Sequence, residues 1–195
     1  MKFSDNPCWD FALLVYRRDG VADACLALQD AHGIDVNVLL FCCWFGESGR
    51  GGLSAKEMAD ALALVDPWHQ GVVRRLRAVR ARLKGGLGDI DVEFSDPLRG
   101  QIMASELDAE HVEHMTLWAA FERPAAEPMP PTEERAKDAA GNVALYFDAL
   151  GVKLAEAETA QLMTVLGGSF PDLDRGRLAA LIDAAVQVGG ARPMA

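Results

Sequence analysis

The sequence predicts an all-α fold, an irregular helical bundle of about six helices over residues 1–123 followed by a C-terminal helical extension of about three helices. Three observations carry this expectation. Apolar residues recur at helical spacing through most of the chain, capping residues stand where the periodic stretches begin, and no alternating run longer than Ile90 to Phe94 suggests a strand.

The elements follow in order. Asn6 before Pro7 reads as a cap with proline at the first helical position, and Trp9, Leu13 and Tyr16 continue the helix until Asp19-Gly20. Val21, Cys25 and Leu28 form a second stripe that ends at Gly33, a residue able to take the left-handed conformation that closes a helix. Asp35 then caps a third helix, apolar on every face from Val38 to Phe45 and therefore central. His32 falls in the last turn of the second helix, where a partly cationic imidazole suits the dipole. Gln29, Asp30 and Asn37 are left beside this junction and must find partners if they are buried.

The stretch from Gly46 to Gly52 reads as a flexible loop. Ser54 and Glu57 beyond it form a capping box, with Leu53 and Met58 placed as a hydrophobic staple. Asp66-Pro67 is expected to end this fourth helix and start a fifth, whose stripe is Trp68, Val72, Leu76, Val79 and Leu83. Gly85 to Gly88 breaks the chain, and Asp96-Pro97 restarts it into an acidic sixth helix that runs to about Phe121. Residues 124–131, rich in proline, read as a linker. Residues 132–195 form the extension, with stripes through Ala136, Ala140, Val143 and Phe147 and later through Leu178, Leu181 and Ile182.

The chain has 195 residues, 50% of them hydrophobic and 25% charged, enough for a well-buried core. Its apolar runs fall short of the roughly 20 residues that a membrane helix needs, so no membrane partner is expected. The start of the chain shows no export signal, and Cys8, Cys25, Cys42 and Cys43 sit singly or as neighbours inside apolar stretches, as buried thiols rather than a disulfide framework. Both features point to the cytoplasm. The net charge is -10, yet Arg74, Arg75, Arg77, Arg80, Arg82 and Lys84 form a basic helix directly followed by an acidic block. That alternation favours pairing within the fold and argues against a nucleic-acid partner.

The strings CLALQDAHGIDVNVLLFCCWFG, Trp68 with VVRRLRAVRARLK, and SELDAE together resemble the core of a proteobacterial family labelled domain of unknown function 2390, over roughly residues 7–122. The resemblance implies no activity, cofactor or catalytic residue, and nothing for the stretch after Pro124.

No catalytic constellation stands out. The loop Gly46 to Ser54 lacks the lysine of a phosphate-binding loop. Glu106, Glu110 and His114 share one helical face next to Glu113, but His111-x-x-His114 has only Asp66-x-x-His69 as counterpart, so no metal or other cofactor is expected. Asp30, His32 and Asp35 are accounted for as helix-end residues, and Cys25 with His32 shows no sign of an exposed thiol. The favoured reading is a non-catalytic protein that binds another macromolecule, most simply a protein, through a surface carrying Arg77, Arg80 and Lys84 or a groove between core and extension. Two alternatives stay open. One is a small-ligand binder or enzyme whose pocket joins Gln29, Asp30, Asn37 and Trp44 with Trp9, Trp68 and Trp118; the other is phosphate or RNA backbone binding through the arginine-rich helix 67–84.

Overall fold

The computed structural model describes residues 4–189, and among them it is all-helical, apart from one isolated bridge between Leu87 and Ile90. The elements are α1 (Pro7–Tyr16), α2 (Val21–His32), α3 (Val36–Glu47), α4 (Ala55–Trp68), a π turn (His69–Val73), α5 (Arg74–Arg82), α6 (Val92–Ala120), α7 (Thr132–Ala149), α8 (Glu156–Ser169) and α9 (Arg175–Gly189).

Local chemistry explains most of the helix starts. The Asn6 side chain accepts from the backbone N–H groups of Cys8 and Trp9, Asp35 accepts from Asn37, and Ser54 and Glu57 close a reciprocal capping box. Gly33 ends α2 at φ 66°, a conformation that costs glycine little. α3 has no polar face, and every residue from Asn37 to Gly46 is buried. It packs on α1, α6 and α8, and most extensively on α7. The core it anchors is continuous with Tyr146 and Phe147 of α7, Leu162 and Leu166 of α8, and Leu178 and Ile182 of α9.

Two helix boundaries differ from the sequence expectation. Pro67 does not end α4, because the backbone runs on through it into the π turn and α5. Proline removes one backbone hydrogen bond, but Pro67 and Ala63, whose carbonyl loses its donor, both face water. Likewise α6 starts at Val92, capped by the Asp91 carboxylate, and holds Pro97 inside it on an exposed face. The π turn also has a packing cause. The buried residues Met58, Ala61, Val65, His69 and Val73 settle into steps of four, which drift around an ideal helix of 3.6 residues per turn. A wider turn removes part of that drift and keeps His69 and Val73 pointing inward.

α3 and α7 meet at backbone range. A Cβ on Gly46 would lie 2.3 Å from the backbone nitrogen of Ala139. Around this crossing, the Asn142 side chain accepts from the Leu53 N–H at 2.6 Å and donates to the Cys42 carbonyl at 3.3 Å, while Arg135 donates to the Glu47 carbonyl at 2.6 Å. Gly46→Ala therefore forces the two helices apart. The expected loss, by urea denaturation, is about 1–3 kcal/mol, with the upper end favoured because the clash is with backbone. A variant as stable as the parent contradicts this packing.

Candidate functional site

The basic helix and the acidic helix face each other. Arg77 donates to Glu106 at 2.9 Å, to Glu110 at 2.7 Å and to the Gln29 side chain, and Arg80 makes a forked contact with Glu106. Burial raises the pKa of Glu106, but the two arginines outweigh it and hold the carboxyl below its ordinary value. Glu110 is raised, because burial there exceeds the pull of Arg77. The charges of Arg77 and Arg80 are thus largely neutralised by neighbours inside the fold.

Beside this network lies a cavity of about 330 Å³ between α1, α2, α3, α5 and α6, walled by Trp9, Tyr16, Leu26, Met103 and Leu107, with Gln29, Asn37, His114 and the paired charges of Arg77, Arg80, Glu106 and Glu110 as polar groups. The Trp9 ring stacks on His111, with centroids 4.6 Å apart, and meets His114 edge-on at 5.4 Å. His114 is fully buried, and its Nδ1 lies 3.2 Å from the Cys8 sulfur. Burial lowers the His114 pKa to about 4 and raises the Cys8 thiol well above its ordinary value. The pair is therefore neutral, and a reactive thiolate does not form there.

A second group of polar side chains is buried next to the cavity. Asp35 at the start of α3, His69 at the start of the π turn and Glu113 in α6 converge, with one candidate ligand atom from each lying within 4.8 Å of the others. His69 Nδ1 is 2.8 Å from Asp35 Oδ2 and 3.5 Å from Glu113 Oε2. His69 is 4% exposed and Glu113 1%. Surrounding residues hold the group in place. The Asn37 side chain donates to Glu113 Oε2 at 3.2 Å, and the Tyr146 hydroxyl accepts from the Asp35 N–H at 2.8 Å while donating to the Asp35 carbonyl at 3.2 Å.

Electrostatics couples the three. For Glu113, burial and the adjacent Asp35 charge push the carboxyl up to about 8. Burial also works against a charged His69, but the contacts with Asp35 and Glu113 more than reverse it, to about 9. At Asp35, burial is likewise outweighed, by Glu113, His69 and the Asn37 cap, and the carboxyl sits below its ordinary range. One element of a metal centre is present, an imidazole and two carboxylates on three separate helical segments.

The residues singled out from sequence are distributed as follows. Gln29 and Asn37 line the same cavity, whereas Asp30 is exposed and Trp44 is buried under the Arg50 guanidinium, 4.5 Å from its ring centroid. Trp68 donates its indole N–H to the Ala109 carbonyl at 3.0 Å. Arg77 and Arg80 turn towards α6, and Lys84 is exposed. His32 pairs with Glu158 of α8 at 2.9 Å, and burial pushes the Cys25 thiol up to about 12. His69 and Glu113 had a sequence signal only as members of weak helical pairings. Their meeting depends on the π turn and on the packing of α4 against α6, neither of which periodicity reveals.

A family model described as "Protein of unknown function (DUF2390)" matches residues 7–117, and the chain belongs to that family. No curated protein and no solved structure matches the chain. Asp35, His69 and Glu113 all lie within the matched span, while Tyr146 lies beyond it.

The coupled group makes stability depend on pH. Glu113 and His69 hold their protons to higher pH in the folded chain than at the ordinary values of 4.5 and 6.5 that apply when unfolded. Their contribution is complete below those unfolded values and is lost as pH rises through about 8 and about 9. In chelator-treated protein, stability should fall between about pH 5 and about pH 9, on the order of 1.4 kcal/mol per pH unit for each proton involved. Glu113→Gln should flatten that slope. Urea midpoints measured across the range check it, and an equal slope in parent and variant contradicts it.

Proposed function

We propose that this member of the family is a cytoplasmic protein that binds a small, mostly apolar organic molecule in the cavity beside Trp9. The observation that carries the reading is the cavity itself. Its volume of about 330 Å³ suits a small ligand, its walls are largely aromatic and aliphatic, and Gln29 and Asn37 border it beside His114 and the mutually paired Arg77, Arg80, Glu106 and Glu110. Strongly perturbed titratable groups lie next to it, an association frequent at functional sites. Arg77 and Arg80 spend their charge on Glu106 and Glu110, so a phosphate backbone or acidic partner finds little uncompensated charge on that face. The ligand that fits is one whose apolar body rests on Trp9, Leu26 and Leu107 and whose single polar end reaches Asn37 or Gln29. The four buried free thiols suit a reducing compartment, and among the described residues no helix is long and apolar enough to cross a membrane.

One observation favours a second reading, attachment to another protein. Phe94 and Leu98, four residues apart near the start of α6, are exposed, Phe94 by 76%, as is Ile90 just before the helix. A stripe of that kind serves protein contacts.

A single titration separates the two. The naphthalene dye 1-anilinonaphthalene-8-sulfonate should bind the protein at one site, with Leu107→Trp, which fills the cavity from its half-exposed wall, weakening it at least tenfold while the thermal midpoint barely moves. Dye binding that survives Leu107→Trp but disappears in Phe94→Ser with Leu98→Ser transfers the function to the exposed stripe. Dye affinity unchanged in both leaves the cavity without support.

A further inference from the structure

Asp35, His69 and Glu113 present a group of buried polar atoms that the surrounding protein satisfies only in part. Asp35 Oδ1 is committed to the cap, accepting from the Asn37 N–H at 2.9 Å, and Glu113 Oε2 accepts from the Asn37 side chain. Three atoms remain: Asp35 Oδ2, His69 Nδ1 and Glu113 Oε1 are fully buried and none has a hydrogen-bond partner. Asp35 Oδ2 and His69 Nδ1 form a close ion pair at 2.8 Å, but neither atom makes a hydrogen bond of good geometry. A proton on Nδ1 and one shared between the two carboxyls offset part of the charge, yet the three atoms still lack hydrogen bonds of good geometry. Leaving such groups unmatched in the interior is costly.

A cation resolves this arithmetic. We propose that Asp35, His69 and Glu113 form a binding site for one divalent transition-metal ion, held by Asp35 Oδ2, His69 Nδ1 and a Glu113 carboxylate oxygen. Bonds of roughly 2.0–2.2 Å to such an ion place ligand atoms about 3–3.5 Å apart. The two separations from His69, 2.8 and 3.5 Å, are close to that range, and the three ligand atoms all lie within 4.8 Å of one another. One imidazole and two carboxylates suit zinc, manganese or ferrous iron, and disfavour ions that require soft sulfur ligands. The surroundings have the character of an outer shell that orients ligands. Asn37 bridges both carboxylate residues through its backbone and side-chain N–H groups, and Tyr146 pins the Asp35 backbone from α7. His69 borders a second cavity of about 390 Å³, shared with Gln29, Asp30 and Arg74, and Asp30 stands exposed on its wall. Three protein ligands leave coordination positions open for water or a bound molecule. The site stands independently of the ligand reading of the Trp9 cavity.

The test uses the full chain, treated with chelator and dialysed. Manganese(II) is added while its free-ion paramagnetic resonance signal is followed, and zinc(II) binding is measured by equilibrium dialysis. Saturation at one ion per chain is expected. His69→Gln and Glu113→Gln should each weaken binding by roughly a hundredfold, while His32→Gln leaves it within about threefold. Absence of saturable binding in the parent, or affinity unchanged in both site variants, overturns the proposal. Should circular dichroism show that the site variants do not fold, nitrogen-15 spectra of the histidine rings in the parent decide it. Zinc should shift the His69 Nδ1 resonance, and a shift at another histidine instead, or none, overturns the assignment.

Discussion

Asp35 ties α3, α7 and the π turn together at one point. Its side chain caps α3 through the Asn37 N–H, and its backbone N–H and carbonyl both bond the Tyr146 hydroxyl of α7. Its free carboxylate oxygen faces His69 across 2.8 Å. Helix α3 is apolar on all sides and would pack equally well in several rotations about its axis if burial alone decided. Two features remove that freedom: Gly46 must face Ala139 at the crossing with α7, and Asp35 at the helix start must reach both Tyr146 and His69. Buried polar groups of this kind can select one arrangement as well as contribute to stability.

The same residue relates the stretch matched by the family to the stretch beyond it. α7 lies outside residues 7–117, yet its Tyr146 completes the hydrogen bonding of Asp35, its Asn142 holds the Gly-rich loop after α3, and its Ala139 fills the space left by Gly46. Against α3, then, the later helices supply polar satisfaction as well as apolar surface. This bears on the proposed metal ion, because the position of Asp35 Oδ2 is set partly from α7. It also bears on the cavity, since Asn37 contacts Glu113 of the buried group and lines the space next to Trp9.

Local features were legible in the chain because they are decided within a few residues. The caps at Asn6, Asp35 and Ser54, the stop at Gly33 and the wholly apolar character of α3 all belong to this class. Pro67 misled for the opposite reason. A proline reads as a break, but whether a helix survives it depends on whether water reaches the carbonyl left without a donor, and Ala63 is exposed. The candidate site was the least legible part. Asp35 reads as an ordinary cap, and His69 follows a proline in a stretch dominated by arginines; Glu113 is one acid among several on α6. Only the contact of α6 with α4 and the π turn, and the widened backbone at His69, bring them to one point. The arginines of α5 show the complementary case: their clustering was visible, whereas their partners Glu106 and Glu110 depended on how the two helices lie together.

The claim at the centre of this account is that Asp35 and Glu113 are real electrostatic partners of His69 in the interior, and the ring of His69 reports on this directly. A nuclear magnetic resonance titration of the histidine side chains in chelator-treated protein should find His69 still protonated at neutral pH, with a midpoint near 9, and Asp35→Asn, which keeps the cap, should lower that midpoint. A His69 that titrates at or below its ordinary value of 6.5, or that is indifferent to Asp35→Asn, would show that the three groups do not meet as described.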